Sequence, residues 1–165
     1  LLSFGGLLLL AYQAAVEASA FISNNSWDTS VCYFIGAFDK ATARFVAQVY
    51  VGPFSVDPVD YIIGYIADVD HEGHGYVSEA VTAVVTRIFA DLEADQIRIH
   101  CNVTNERSRR VAERCGFRLD KTFLEERSGP DGKLEVCNTA VYLRLRSDIA
   151  SIETAGDGGH ADLGH

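Results

Sequence analysis

The spacing of apolar residues along the chain predicts two clear helices and a third near its start. Apolar side chains recur at three- and four-residue steps between residues 76 and 89, which is the strongest helical pattern in the sequence. A second helix is predicted to begin after Thr104 or Asn105, either of which can cap it, and to end near Cys115. Near-helical spacing over residues 8–22 predicts a further helix packed on the core.

Runs rich in β-branched and aromatic residues predict the strands. They cover residues 31–38, 44–51, 61–66, 96–101, 117–124 and 135–145. The first three are expected to form an antiparallel arrangement, with Pro53 and Pro58 bracketing a loop, and Gly64 indicates a bulge or a close backbone approach. The elements predict one α+β domain over residues 1–148 and a mobile, glycine-rich tail over residues 149–165.

Composition is that of an ordinary soluble globular protein. The 165 residues are 48% hydrophobic and 22% charged, so one domain can hold a core without metal or disulfides. A net charge of −9, with no basic run longer than Arg109–Arg110, argues against nucleic acid as a partner.

The N-terminal segment and the cysteines favour a cytoplasmic protein that is not bound to a membrane. The first ten residues lack the basic region of a signal peptide, and a membrane span would have to include Gln13 and Glu17. The four cysteines are widely spaced without a Cys-x-x-Cys motif, which favours reduced thiols. Because the chain contains no Met, some sequence before residue 1 is expected to be missing.

A glycine-containing loop at the start of the first clear helix is the first sign of chemistry. Gly73 and Gly75 let the backbone turn its N–H groups outward, and the positive end of the helix dipole attracts an anion. A phosphate or diphosphate can therefore bind there with few basic side chains. A plain tight turn is the alternative, and Ser78 breaks the dinucleotide-binding pattern Gly-x-Gly-x-x-Gly.

Three motifs together resemble the GCN5-related N-acetyltransferase (GNAT) superfamily, in particular its RimJ/RimL-like branch. They are Gly64-Tyr65 in a long strand, Gly73-His74-Gly75-Tyr76-Val77-Ser78-Glu79-Ala80 at a helix start, and Asn105-Glu106-Arg107-Ser108 followed by Cys115-Gly116-Phe117. The resemblance covers residues 61–117 by motif and the flanking strands by element order. It implies a mixed, mostly antiparallel twisted sheet with helices on both faces and a splayed central strand pair.

The resemblance further implies acetyl-CoA as co-substrate and an amine as acceptor, either a protein N-terminus or a small amine. The implied cofactor-binding residues are Ile66, Ala67 and Asp68 for the pantetheine arm, Gly73, His74, Gly75, Tyr76 and Val77 for the diphosphate, and Asn105 and Ser108 near the sulfur. An N–H group near Ile66 or Ala67 would face the thioester oxygen. The reaction that the resemblance implies is direct attack by the amine, without a covalent enzyme intermediate.

The catalytic groups implied by the resemblance are incomplete. Ser108 matches the residue near the sulfur, but the Tyr that many branches place four residues before the Gly-Phe pair is Ala112 here. Many relatives also carry a Glu where this chain has Ile62. The first candidate for the missing base is Glu126, followed by Asp60.

Other departures leave alternatives open. Glu125 and Asp68 are further acids near the expected site, and Glu72 would repel a diphosphate if its side chain turned inward. His71 and His74 lack a third ligand, so no metal is expected. The same fold could instead act as a non-catalytic acyl-CoA sensor or scaffold.

The start of the chain also departs from the family pattern. The family's first strand and first helix normally precede the elements predicted here, and ten residues cannot hold both. Either both are missing, or Leu7–Leu10 replaces the strand, or a second subunit covers that edge in a homodimer.

Overall fold

The computed structural model describes residues 2–4, 7–13, 32–128 and 132–149. Residues 2–4, 7–13 and Ser128 are described in their backbone only. In chain order the elements are β1 (Leu2–Phe4), β2 (Leu7–Gln13), β3 (Tyr33–Asp39), β4 (Phe45–Val56), β5 (Val59–Ala67), a short 3-10 helix (Val69–His71), α1 (Tyr76–Asp91), β6 (Gln96–Asn102), α2 (Glu106–Arg114), β7 (Arg118–Ser128) and β8 (Leu134–Leu145).

The described strands form one sheet in the order β1-β2-β3-β4-β5-β6-β8-β7. Neighbouring strands are antiparallel except for β5 and β6, which run parallel because α1 connects them. The predicted α+β class and its mixed, mostly antiparallel sheet are therefore confirmed.

The two parallel strands pair over only part of their length. Asp60–Ile63 of β5 lies in register with Gln96–Ile99 of β6. Beyond this paired segment β5 continues to Ala67 and β6 continues to Asn102, but the two strands no longer pair with each other. The predicted splayed central strand pair is confirmed, and it opens at the end of β5 that leads into the glycine-containing loop.

The core lies where α1 packs against β4 and β5. The apolar face of α1 is buried and consists of Ala80, Val81, Ala83, Val84, Val85, Ile88 and Phe89. Alternate residues of β6, namely Ile97, Ile99 and Cys101, are buried on the same side as Tyr61 and Ile63 of β5. Helix α2 is short and polar, and only Ala112 within it is buried.

The predicted helix over residues 8–22 is wrong over its first part, because Leu7–Gln13 forms β2. A continuous apolar run fits a buried strand as well as a helix, so periodicity alone could not decide. Pairing with β3 selects the strand over the helix, because β2 pairs with the whole of β3 and satisfies the backbone N–H and C=O groups along that edge. This strand includes Leu7–Leu10, the segment that one of the three alternatives places at this edge. Residues 14–22 lie outside the described residues.

The loop expected between Pro53 and Pro58 is also wrong, because β4 continues to Val56 and only a tight turn at residues 57–58 separates it from β5. β3 pairs with β4 only as far as Val51, so among the described residues no strand on that side needs the missing N–H group of Pro53. A register shift between Pro53 and Ser55 accommodates the irregular backbone.

The remaining predicted strands and helices lie within a few residues of the observed ones. β7 continues four residues beyond its predicted end, to Ser128. The tail beyond residue 149 lies outside the described residues. Among the described helices, none is both long enough and apolar enough to cross a membrane.

Candidate active site

The loop before α1 has the backbone conformation that its glycines allow. Gly73 and Gly75 have φ values of 81° and 84°, in the left-handed region, and Gly75 is the N-cap of α1. Apart from the adjacent residues, no heavy atom of the described part of the chain lies within 4 Å of where a Cβ would stand at either position. The loop is exposed and open at the helix start, so its main-chain N–H groups are accessible to a diphosphate.

Side chains around this loop are held away from the helix start. The Glu72 carboxylate forms an ion pair with Arg107 of α2. His74 Nδ1 lies 3.0 Å from the Glu72 carbonyl oxygen, and the His74 ring stacks on Tyr76 with ring centroids 5.8 Å apart. Glu72 therefore faces an arginine rather than the loop interior, which lessens the repulsion expected from the sequence.

Asp68 and His71, at the end of β5, form a local pair. The Asp68 carboxylate lies 2.5 Å from His71 Nδ1, with both side chains partly buried. The described residues contain no group of three or more His, Cys, Asp or Glu side chains that could hold a metal ion. The four cysteines are free thiols.

The start of α2 is hydrogen-bonded to β5 near the end where β5 and β6 separate. Asn105 caps the helix, and its side-chain oxygen accepts a hydrogen bond from Ser108 N at 3.1 Å. The Tyr65 hydroxyl donates to the Ser108 carbonyl oxygen at 2.8 Å. Burial raises the pKa of Tyr65, so its phenol stays protonated and the link persists at neutral pH. Ser108 is half-buried beside the opening.

One face of the sheet carries the polar side chains of the splayed strands. Since Ile62 lies opposite Arg98 in the parallel register, Gly64 and His100 follow on the same face where pairing ends. We call the side of the sheet that carries Ile62, Arg98 and His100 the open face. The opposite side carries Tyr65 and faces the helices.

Asp60, a predicted base, lies at the paired end of β5. It is fully buried, and its carboxylate accepts hydrogen bonds from Gln96 Nε2 at 2.8 Å and from Arg98 Nε at 2.7 Å. Arg98 also lies over the Phe54 ring, with its guanidinium carbon 3.8 Å from the ring centroid. This arrangement keeps the carboxylate paired with a cation, and places it four residues before Gly64 along the strand.

Glu125 and Glu126, the two acids on β7, point to opposite sides. Glu125 lies on the open face, where it accepts a hydrogen bond from Thr139 and forms an ion pair with Arg127 at 2.6 Å. These two partners hold the pKa of Glu125 below its usual value. Glu126, the first-choice base, is exposed on the other side of the strand.

An open-face cleft, which the sequence did not single out, lies beside the splay. It has a volume of about 370 Å³ and is lined by Phe54, Arg98, His100, Lys121, Phe123 and Val141. The His100 ring lies between Phe54 and Phe123, with centroid distances of 6.0 and 6.2 Å. His100 Nε2 is buried without a hydrogen-bond partner among the described residues. Strand alternation would have placed His100 on this face, but no motif marks it.

Comparison with known proteins gives a consistent answer for the family. The model of the acetyltransferase (GNAT) domain matches residues 11–118, about two thirds of the chain. The "Putative ribosomal N-acetyltransferase YdaF" of Bacillus subtilis is 39% identical over 70 residues, which are 42% of this chain and 35% of that protein. The chain thus spans about a third of this curated relative.

Solved structures show the same fold. An acetyltransferase (GNAT family) from Bacillus anthracis has a TM-score of 0.61 at 21% identity, over 69% of this chain and 66% of that chain. A ribosomal-protein-S5-alanine acetyltransferase from Vibrio fischeri has a TM-score of 0.63 at 18% identity, over 71% and 63%. Mutant forms of the spermidine/spermine N-acetyltransferase SpeG from Vibrio cholerae have a TM-score of 0.63 at 17% identity, over 73% and 70%.

Proposed function

Because this chain belongs to the acetyltransferase (GNAT) family, we propose that it transfers an acetyl group from acetyl-CoA to a primary amine. The observation that carries the proposal is the splay of β5 and β6 next to an open glycine loop at the start of α1. Unpaired strand edges and free helix N–H groups are what a long acyl carrier with a diphosphate requires. When bound, acetyl-CoA supplies an activated acyl group that an amine attacks directly.

The residues of the splay are suited to hold this co-substrate. The main-chain N–H groups of residues 73–77 would bind the diphosphate, and the backbone of Ile66, Ala67 and Asp68 would bind the pantetheine arm as an added strand. Asn105 already uses its side-chain oxygen as a helix cap, which leaves its amide N–H₂ group to face the arm. Ser108 would donate a proton toward the sulfur. These roles remain predictions.

The proton that the amine must lose has two sequence-predicted acceptors. Glu126 is exposed and free to approach a ligand only from the far side of β7, whereas Asp60 is buried in its pair with Arg98. Both stay predictions, and substitution of each carboxylate by its amide tests them.

The open-face cleft favours an acceptor with few positive charges. Among the described residues, its lining contains no carboxylate; Lys121 carries a positive charge, and Arg98 is paired with Asp60. A polyamine would bring several ammonium groups close to Lys121, which costs binding energy, whereas a peptide N-terminus or a monoamine brings one. We therefore propose that this chain acetylates a peptide N-terminus or a small monoamine. We also propose that it is a cytoplasmic enzyme.

Thiol release from acetyl-CoA tests the proposal. We expect release with short peptides or with an aromatic monoamine such as tyramine, and at least tenfold less with spermidine at the same concentration. Mass spectrometry should show acetylation at the acceptor nitrogen. Calorimetry run in parallel measures acetyl-CoA binding. Binding without thiol release against all amines would instead indicate a non-catalytic acyl-CoA sensor, and the absence of binding would contradict both functions.

A further inference from the structure

The cleft beside the splay holds a side chain that the family motifs do not include. His100 is the first open-face residue of β6 beyond the paired segment, so it lies where the two strands separate. Its neighbour in register on β5 would be Gly64, which has no side chain to fill the gap. Ile62, which precedes Gly64 on the same face, is apolar and cannot take a proton. The imidazole of His100 is therefore a proton-accepting group at the point where the two strands separate.

The surroundings of His100 favour a neutral ring. Burial and the nearby Arg98 and Arg127 lower the pKa of His100 below its usual value, while Glu125 and Asp60 act in the opposite direction. Asp60 pairs with Arg98 and Glu125 with Arg127, so the effects of these four charges largely offset one another, and burial, the largest cause, lowers the pKa of His100. Lys121 lines the same cleft and adds a further positive charge. At pH 7 the imidazole is therefore an unprotonated base.

One nitrogen of the His100 ring has no hydrogen-bond partner among the described residues. Nε2 is buried and has no partner among the described residues, which is an unfavourable state for a polar atom and is often found at functional sites. Two aromatic rings, those of Phe54 and Phe123, flank it. These side chains are 50% and 37% exposed, so a modest rotation of either opens Nε2 to the cleft. A positively charged N–H donor would supply the missing hydrogen bond.

We propose that His100 is the proton acceptor of the acetyl transfer, an inference that rests on the proposed function. The acceptor ammonium enters the cleft and donates to Nε2. Its N–H bond breaks, an Nε2–H bond forms, and the electron pair left on the nitrogen becomes the nucleophile. The imidazolium then returns this proton to water, so that one proton appears in solution for each amide and thiol formed. Neither Glu125, held by Thr139 and Arg127, nor Asp60 is as free to accept it.

The first test needs no co-substrate. In the full chain labelled at histidine Cε1, the NMR signal of His100 is assigned by its loss in H100Q. We expect it to titrate below pH 6.5, and added tyramine to shift it. A midpoint at or above 6.5 together with no response to the amine would overturn the proposal.

The second test uses acetyl transfer. We expect H100Q to lower kcat by roughly 10²- to 10⁴-fold with KM for acetyl-CoA within about twofold, and to remove the acidic limb of the pH profile of kcat/KM. Added imidazole should partly restore H100A. T122Q, an exposed substitution on the other side of β7, is the matched control and should retain full activity. Thermal unfolding shows whether each variant is folded.

The outcomes separate this inference from the function on which it rests. An active wild-type protein with an equally active H100Q variant, or with loss of the acidic limb in E126Q instead, overturns the role of His100 alone. A wild-type protein that binds acetyl-CoA but acetylates no amine overturns the proposed function as well.

Discussion

The two ends of the β5–β6 pair differ although they belong to the same strands. At the paired end, Asp60 is fully buried, and its Oδ2 is bonded to Gln96 and Arg98, while Oδ1 has no hydrogen-bond partner among the described residues. At the splayed end, the strands leave each other and Ile66 is 61% exposed. From this difference we expect changes at the paired end to act mainly on stability and changes at the splayed end to act mainly on ligand binding.

The splayed end is held open by contacts that cross it outside the sheet. Tyr65 on β5 bonds to the backbone of α2, and Glu72 in the loop before α1 pairs with Arg107 on α2. These contacts fix the positions of the two helix starts without filling the space between the strands. Changes at each end should therefore have separable effects.

The largest expected effect is loss of stability at the paired end. Asp60→Asn leaves the Arg98 charge without its partner in a site where Asp60 is fully buried, and breaking such a pair costs about 3–5 kcal/mol. Urea unfolding followed by circular dichroism measures the change. Asp57→Asn, in an exposed turn, is the matched control and should stay within about 0.5 kcal/mol. A D60N variant as stable as D57N would show that the pair does not hold this end together.

The next effect concerns the glycine loop. Gly75→Ala meets no steric obstacle, but its left-handed φ of 84° costs about 1–2 kcal/mol with a Cβ present. If the loop relaxes to relieve this strain, the N–H groups turn and acetyl-CoA affinity falls by about tenfold. Gly132→Ala has a similar φ of 77° and equally open surroundings, far along the sheet in the β7–β8 turn. It should cost similar stability but leave acetyl-CoA affinity unchanged, and equal affinities for both variants would contradict diphosphate binding by the N–H groups of residues 73–77.

The sequence predicted best those elements whose spacing of apolar residues fits only one type of secondary structure. The 76–89 pattern fits a helix and no strand, so α1 was predicted within two residues of its end. The uniform apolar run at residues 7–13 fits either, and its pairing with β3 is a long-range contact that local spacing does not contain. Pro53 predicts a break in the strand only if both edges of the strand are paired, because only then is its missing N–H group needed. The sequence alone does not reveal which edges are paired.

The candidate site divides in the same way. The Gly73–Val77 loop and the Asn105–Ser108 helix start follow local rules for helix ends, so motifs found them. The partners of Asp60 and the cleft around His100 come from strands far apart in sequence, because Phe54 and Phe123 lie on β4 and β7. A local sequence motif does not identify a residue whose role depends on such long-range contacts.

A smaller effect is expected at the tie between β5 and α2. Tyr65→Phe removes the hydroxyl that donates to the Ser108 carbonyl oxygen, which should cost about 1 kcal/mol of stability. Because the start of α2 is then less fixed, acetyl-CoA should bind a few-fold more weakly. Tyr50→Phe removes a hydroxyl on β4 that lies 3.2 Å from Cys32 Sγ, just before β3, rather than from α2, and it should lower stability without this change in affinity. The two variants are compared by thermal unfolding and calorimetry.

The smallest effect tests how the open end tolerates an acid beside the diphosphate position. Glu72 is 41% and Arg107 is 81% exposed, so their ion pair contributes only about 0–1 kcal/mol to stability. Glu72→Gln should therefore leave unfolding nearly unchanged but strengthen acetyl-CoA binding a few-fold, because Arg107 is then free to face the diphosphate. Arg107→Gln should weaken binding, since Glu72 then lacks its counter-charge. Both changes should shrink as salt rises from about 0.05 to 0.5 M, where screening shortens the reach of exposed charges. If the acetyl-CoA affinities of the two variants are equal and do not change with salt, the diphosphate binds away from this loop.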